Sequence, residues 1–455
     1  MDKRSKIAII GFGVEGKAVY EYLLKHKYTQ LTVCDQNVDL DFKFDEGVSS
    51  ELGEHYLNDL DQFEFVFRGP GIPYLRPEIQ AAKAAGTKIT SCTKFFLDQC
   101  PCDVIGVSGT KGKGTCATLI YEIFKESGEK PGVNLFLGGN IGKAPIEFLD
   151  KLKGNHLVVL ELSSFQLQDL ENSPKYAVLL NTNEDHLDYH ADKDEYMHAK
   201  ENLISHQGKD DLVVMNADYE YLKFYKNLVK GDLKLISVDK EIEGSAYVKD
   251  DAIYYDGEEI LKVEDVELVG SHNLENILPA IVIAKAFDIS DKKIASVVKK
   301  FKNLPYRLQL TRELKGVRYF NDSYSTTPET SMAAVNSFDE ATVLIAGGYD
   351  KGADYNEWAL KILTKPNLHT VILIGANAEK MEQALFDAEE KLGEAEGSPT
   401  KILRRNRMED AVIDAYAEAD EGGVVVMSPA AASFDMYENY KARGNDFTAQ
   451  VRKLK

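Results

Sequence analysis

The residues best placed to do chemistry form one short loop, Gly109-Thr110-Lys111-Gly112-Lys113-Gly114-Thr115. It follows an apolar run, DVIGVSG, and leads into a helical pattern, GTCATLIYEIFKESG. Successive backbone N–H groups in such a loop form a nest for phosphate oxygens. Lys113 would set its ammonium on the β- and γ-phosphates, and Thr115 would offer a hydroxyl to Mg²⁺. The pattern departs from a strict G-x-x-x-x-G-K-[ST]: Val107 stands at the first glycine position and Gly114 at the Ser/Thr position. The plain alternative is a glycine turn with no ligand. The strand–loop–helix context favours phosphate, and hence ATP.

A second turn, Gly11-x-Gly13-x-x-Gly16, also joins a strand to a helix, and Asp35 ends the next strand 19 residues after Gly16. This is the dinucleotide fingerprint, in which glycines permit a tight turn and the helix N-terminus favours an anion. It suggests NAD or FAD, and a UDP-type ligand fits it equally well. Two further groups lie at predicted strand ends: Glu161 at the end of VVLEL, and His186 just after VLLNTN. The carboxyl ends of parallel strands converge on the ligand crevice, so Lys113, Glu161 and His186 are expected to face one site. A carboxylate and an imidazole can hold a phosphate-bound Mg²⁺, although Asp185 and Asp188 are chemically as suitable and His186 is equally readable as a loop or capping residue.

Positioning such groups requires α/β layers. Apolar runs of strand length alternate with longer helical segments along the whole chain, which predicts largely parallel sheets. Strands are expected at 103–109, 156–162 and 176–183, a helix at 193–205, and a peripheral β element over 230–268. Asn303-Leu304-Pro305 reads as a boundary. The 455 residues carry 54 basic and 74 acidic side chains, a net charge of −20, which argues against nucleic acid and anionic membrane as partners. The N-terminal apolar run is too short for a signal segment and no stretch reaches membrane-span length, so a cytoplasmic protein is expected. Cys100-Pro101-Cys102 invites a metal or redox reading. Without a second Cys/His pair at zinc spacing, the simpler reading is reduced thiols.

GTKGKGT, LELSSFQL, NTNEDHLDYH, HAKENL, GSHNLEN, LPYRLQ, NDSYSTTPE, GGYDKGADY and SPAAASFDMYENYKARG occur in that order. Together they resemble the Mur ligase family, most closely its D-glutamate-adding branch, over essentially the whole chain. The resemblance implies three domains: a Rossmann-like UDP-binding domain (1–97), a central P-loop ATPase-like mononucleotide-binding domain (98–303) and a C-terminal Rossmann-like domain for the amino acid (304–455). It implies ATP-dependent addition of D-glutamate to UDP-N-acetylmuramoyl-L-alanine through an acyl phosphate, in cytoplasmic peptidoglycan precursor synthesis, by a monomer. By similarity, Gly13, Val14, Glu15, Asp35, Gln36, Gly71, Asn140 and Ser163 would hold the UDP-sugar. The loop from Gly109 to Thr115, with Asn273, Asn276, Arg307 and Asp322, would hold ATP. Thr115, Glu161, His186 and Lys200 would serve two Mg²⁺ ions, and Lys200 matches a lysine that is carbamylated in the family. Thr326, Lys351, Ser433, Phe434 and Tyr440 match the amino-acid pocket.

Three departures stand out. GTKGKGT replaces GTNGKS/T and is similar to the loop of folylpolyglutamate synthases. Tyr324 stands where NDSKAT has a lysine, and LPYR and GPGI replace LPHR and SPGI. The competing expectations are a related ligase using L-glutamate or a folylpolyglutamate-type acceptor, a non-catalytic UDP-sugar sensor, and an NAD-dependent oxidoreductase.

Overall fold

The computed structural model describes residues 1–128, 134–182, 192–392 and 400–455. Its contacts divide these into two compact units, Met1–Val266 with Leu274–Lys299, and Glu267–Asn273 with Lys300–Lys455. Among the described residues the strands make four sheets.

The first sheet is wholly parallel, in the order β3-β2-β1-β4-β5. Its strands are β1 (Lys6–Ile10), β2 (Gln30–Asp35), β3 (Ser49–Leu52), β4 (Phe65–Arg68) and β5 (Lys88–Ser91). Helices α1 (Val14–Lys25) and α2 (Pro77–Ala84) make crossovers between its strands, and α3 (Cys92–Gln99) follows β5 and leads out of the sheet. In α1 the buried Val19, Tyr20 and Leu23 fall on one stripe at helical spacing and cover the sheet. The chain reverses strand order between β1 and β4, where the Gly11 and Gly69 turns meet.

The central sheet is also parallel, in the order β11-β10-β9-β6-β8-β7. It contains β6 (Asp103–Ser108), β7 (Leu135–Gly139), β8 (Leu157–Glu161), β9 (Tyr176–Leu179), β10 (Leu212–Asn216) and β11 (Asp232–Ile236). Helices α4 (Lys113–Ser127), α5 (Ser164–Leu167), α6 (Lys193–Glu201) and α7 (Leu222–Tyr225) accompany it. Cys116, Leu119, Ile120 and Ile123 form the buried stripe of α4, and Gly128 ends the helix in the left-handed region. A small antiparallel sheet, β12 (Ala246–Lys249), β13 (Ala252–Tyr255) and β14 (Glu258–Lys262), precedes α8 (Leu274–Ala286) and α9 (Asp291–Lys300).

Three sequence expectations shift here. The strand expected over 176–183 ends at Leu179, because the Asn181 carbonyl is taken by the Thr110 N–H instead of a neighbouring strand. The helix expected to reach Ser205 stops at Glu201, where Asn202 turns its amide onto the Leu167 and Gln168 carbonyls. Residues 232–236 are an edge strand of the central sheet, parallel to β10, so only 246–262 form the separate β element.

The second unit carries β15 (Gln309–Leu314), β16 (Val317–Asn321), β17 (Thr342–Ala346), β18 (Leu368–Ile374), β19 (Lys401–Arg405) and β20 (Val424–Met427), in the order β15-β16-β20-β17-β18-β19. All but β15 are parallel. Helices α10 (Pro328–Val335), α11 (Asn356–Leu363), α12 (Ala378–Leu392), α13 (Met408–Glu418) and α14 (Tyr440–Lys453) cover its two faces. No helix of the described residues is long and apolar enough to cross a membrane.

A buried ion pair ties the first sheet to the central one. Arg68 ends β4 and is almost fully buried; its Nη2 meets Asp169 Oδ1 at 3.1 Å and the Phe165 carbonyl at 2.8 Å. Its Nη1 donates to the Ile72 carbonyl at 2.7 Å, and Ser91 Oγ donates to the same Asp169 oxygen at 3.2 Å. Removing one partner of such a pair leaves a buried charge without compensation, at a cost of about 3–5 kcal/mol. Arg68→Ala should therefore lower stability in urea unfolding by about 3 kcal/mol, whereas the double change Arg68→Met with Asp169→Leu should recover most of that loss.

Candidate active site

The phosphate-type loop leaves β6 and enters α4 exactly where backbone handedness decides what fits. Gly109 has φ of 152° and Gly112, the N-cap of α4, has φ of 80°. An added Cβ at Gly112 would lie 1.9 Å from Asn276 Oδ1, and one at Gly109 would lie 2.6 Å from Leu180 Cβ. Both positions therefore require glycine on two grounds, conformation and space. Lys113 Nζ donates to the Gly109 and Thr110 carbonyls at 3.0 and 2.9 Å, so its ammonium lies over the loop. Thr115 is buried in the first turn of α4. Lys111 belongs to the same loop, and Asn276, on α8, packs on it.

Glu161 ends β8 and is fully buried. Asn140 Nδ2 donates to its Oε1 at 3.0 Å, while Oε2 has no hydrogen-bond partner among the described residues. A buried carboxylate oxygen left without a donor suits a hard divalent cation such as Mg²⁺. Lys200, on α6, is buried: its Nζ lies 3.1 Å from the Gly109 carbonyl and 3.4 Å from Ser108 Oγ, and the Tyr196 ring lies beneath it at 4.6 Å. Thr110 Oγ1 and the Tyr196 hydroxyl are 2.8 Å apart, so α6 and the loop are joined at two points. Lys113, Asn276 and Lys200 thus converge on this loop. His186, Asp185 and Asp188 lie outside the described residues.

At the first sheet's switch point, Gly13 and Gly71 leave open space at their Cα atoms and Val14 is exposed. Asp35 accepts the Phe12 N–H at 2.6 Å and so holds the turn, with exposed Gln36 beside it. Glu15 differs from its neighbours. Its side chain is buried and accepts from Gln166 Nε2 of α5, next to the Arg68–Asp169 pair. Burial pushes its carboxyl up to about 7, against the opposing Gln166 hydrogen bond and the Arg68 charge. Ser163 caps α5 by accepting the Gln166 N–H at 3.3 Å.

In the second unit, loops at the carboxyl ends of β16, β17 and β20 carry Asp322, Thr326, Lys351, Ser433 and Phe434, while Asn273 and Arg307 precede β15 and Tyr440 opens α14. Asp322 is buried; it accepts the Leu308 N–H at 3.0 Å and Ser428 Oγ at 2.7 Å, and burial raises its carboxyl to about 6. Asn273 is buried too, donating to the Val269 carbonyl at 2.7 Å. The guanidinium of Arg307 stacks over the Tyr324 ring at 4.0 Å, and Tyr440 meets that ring edge-on at 4.9 Å. Lys351 and Phe434 are exposed and lie together, 5.8 Å from ammonium to ring centre; Ser433 is buried and Thr326 half-buried.

Three models of known domains match the chain: the Mur ligase MurD-like N-terminal domain over residues 5–91, the Mur ligase middle domain over 107–284 and the Mur ligase glutamate ligase domain over 306–431. The chain is 38% identical to the UDP-N-acetylmuramoylalanine–D-glutamate ligase of Acetivibrio thermocellus, covering 99% of this chain and 97% of that one. It is 34% identical to the ligase of the same name from a Clostridium botulinum strain, again over 99% and 97%. The chain belongs to the Mur ligase family. Its fold is similar to the UDP-N-acetylmuramate-alanine ligase of Thermotoga maritima (TM-score 0.61, 17% identity, 99% of this chain and 100% of that one). It is also similar to the MurF ligase of Thermotoga maritima in complex with ADP (TM-score 0.60, 16% identity, 99% and 95%).

Sequence reasoning passed over several residues that organise this Mur ligase's loops. Arg443 sits inside the SPAAASFDMYENYKARG segment, yet its buried guanidinium holds the Ala432 and Ser323 carbonyls at 2.9 and 3.0 Å. Gly348 leaves room for that contact, since an added Cβ would lie 2.1 Å from the Ala432 oxygen. An arginine in an otherwise small and polar motif was the available signal. Gln166 and Tyr196, inside LELSSFQL and just before HAKENL, were equally visible as letters and not as contacts.

Because the folded protein holds a proton on Glu15 that the unfolded chain releases above its ordinary carboxyl range, stability falls as pH rises from about 4.5 to about 7. Arg68, Asp169 and Cys92 are the charged or titratable neighbours. Glu15→Gln should match the wild type near pH 4 and exceed it above pH 7, by on the order of 3 kcal/mol at most, in denaturant titrations across that range. Parallel stability curves at both ends would refute the assignment.

Proposed function

We propose that this chain joins the carboxylate of UDP-N-acetylmuramoyl-L-alanine to the amine of D-glutamate, converting ATP to ADP and phosphate. What carries the reading is identity of 34–38% to D-glutamate ligases over 99% of the chain. The carboxylate takes the γ-phosphoryl group to give an acyl phosphate and ADP. The amine then displaces phosphate and the amide forms.

The demand on the protein is to bring two anions together and to stabilise the charge that develops between them. The loop Gly109 to Thr115 cradles the phosphates and Lys113 neutralises the transferring group. Thr115, Glu161, His186 and Lys200, the last as a carbamate, hold two Mg²⁺ ions, which supply charge neutralisation. The unpartnered oxygen of Glu161 supports that role. Asn273, Asn276, Arg307 and Asp322 complete the nucleotide site. Gly13, Val14, Glu15, Asp35, Gln36, Gly71, Asn140 and Ser163 take the UDP-sugar. For Glu15 this is a role for its backbone, the side chain being committed to Gln166. Thr326, Lys351, Ser433, Phe434 and Tyr440 take the amino acid. The domains run 1–97, 98–303 and 304–455, and the enzyme works as a monomer in the cytoplasm.

Phosphate release from ATP and Mg²⁺ with UDP-N-acetylmuramoyl-L-alanine should require D-glutamate and be absent with L-glutamate or no amino acid. Release with L-glutamate instead would make this a sibling ligase. No release, with UDP-sugar binding intact, would make it a sensor.

Tyr324 supports the nucleotide side as a platform for Arg307. Tyr324→Leu should raise the KM for ATP about three- to tenfold, while Tyr324→Phe, which keeps the ring, should stay near wild type. Equal losses in both variants would show that the hydroxyl, not the stacking, matters.

A further inference from the structure

Cys100 and Cys102 lie in the segment that runs from the end of α3 into β6, joining the first sheet to the central one. Their sulfurs are 3.6 Å apart, with Pro101 between them. Both are partly exposed, whereas Cys34, Cys92 and Cys116 are buried. The pair lines a cavity of about 180 Å³ together with Leu97, Asp103, Pro174 and Lys175. Asp103 and Lys175 form an ion pair at 3.1 Å there. No group of three or more metal-ligating side chains exists among the described residues, so two thiols without further ligands point to sulfur chemistry rather than a closed metal site.

We propose that Cys100 and Cys102 form a vicinal dithiol that closes reversibly to an intrachain disulfide by exchange with a small disulfide such as glutathione disulfide. Residues two apart on extended backbone have Cα atoms roughly 6.4–6.8 Å apart, at the upper end of the range a disulfide spans, and side-chain rotation brings sulfurs already in contact to bonding distance. The Cys100 thiolate attacks one sulfur of the small disulfide, forming a mixed disulfide and releasing one thiolate. The Cys102 sulfur, losing its proton to solvent, then attacks Cys100 and releases the second. One small disulfide is reduced to two thiols and the dithiol is oxidised by two electrons. The contact between the sulfurs holds Cys100 below the usual thiol range and pushes Cys102 up, which is consistent with Cys100 as the attacking group and Cys102 as the resolving one. The three other cysteines are excluded from this chemistry, since burial pushes their thiols up and closes them to reagents.

The full-length protein decides the matter by thiol counting and peptide mapping. A chromogenic disulfide reagent should titrate two thiols in the native protein and five after denaturation. After treatment with glutathione disulfide, the peptide containing Cys100 and Cys102 should be lighter by two hydrogens, carry no glutathione, and return to its original mass with dithiothreitol. The Cys102→Ser variant should instead keep glutathione on Cys100. Native thiols that do not react, or glutathione that stays on the wild-type peptide without being displaced, would overturn the proposal.

Discussion

Everything in the central domain depends on one backbone constraint: the turn from β6 into α4 must pass through the left-handed region at Gly112 with Asn276 pressed against its Cα. A side chain there would be strained by conformation and blocked by contact at once. The turn puts Lys113 at the first position of α4, where its ammonium lies over the Gly109 and Thr110 carbonyls. It also sets the Thr110 hydroxyl against Tyr196, and through that contact fixes α6, which carries Lys200. A shift at one glycine would therefore move the loop, the helix and the buried lysine together.

The first sheet is bound to this centre by polar groups rather than by shape alone. Arg68, Asp169, Glu15 and Gln166 lie buried together, one cation among two carboxyls. Such clusters add little net stability, because desolvation offsets most of the Coulomb attraction. They do specify one arrangement, since any other register would leave charges buried without partners. Glu15 responds by keeping its proton to near neutrality, which spares the cluster a net buried negative charge. The same constraint explains why Glu15, beside the exposed Val14, turns its side chain inward.

The second unit solves a related problem with aromatic rings. Where the family motif has a lysine, Tyr324 supplies a flat surface under Arg307 and beside Tyr440. Tyr306 and Leu308, on either side of Arg307, both have positive φ, which residues with side chains adopt only when held. Asp322 and the Tyr324 N–H do the holding, through Leu308 and the Tyr306 carbonyl. Charge is thus retained near that motif by positioning an arginine from a neighbouring turn.

Local patterns were readable from the chain itself. The two glycine turns and the alternation of strand-length apolar runs with longer helical segments are short-range signals, and so the loop from Gly109 to Thr115 and the α/β layers were legible. The ordered motifs made the family legible too. Element ends were less so: β9 ends at Leu179 and α6 at Glu201 because of hydrogen bonds made to Thr110, Leu167 and Gln168. Lys200 looks like a surface lysine in HAKENL and becomes a buried one only when α6 packs against β6. Arg68 and Asp169 are 101 residues apart and nothing local marks them as a pair. The chain by itself determined which backbone turns and which reactive groups are present, since glycine spacing and apolar period act over a few residues. Only the tertiary structure decided which groups lose their water and which partners they find, because burial and long-range pairing exist only once the sheets have stacked.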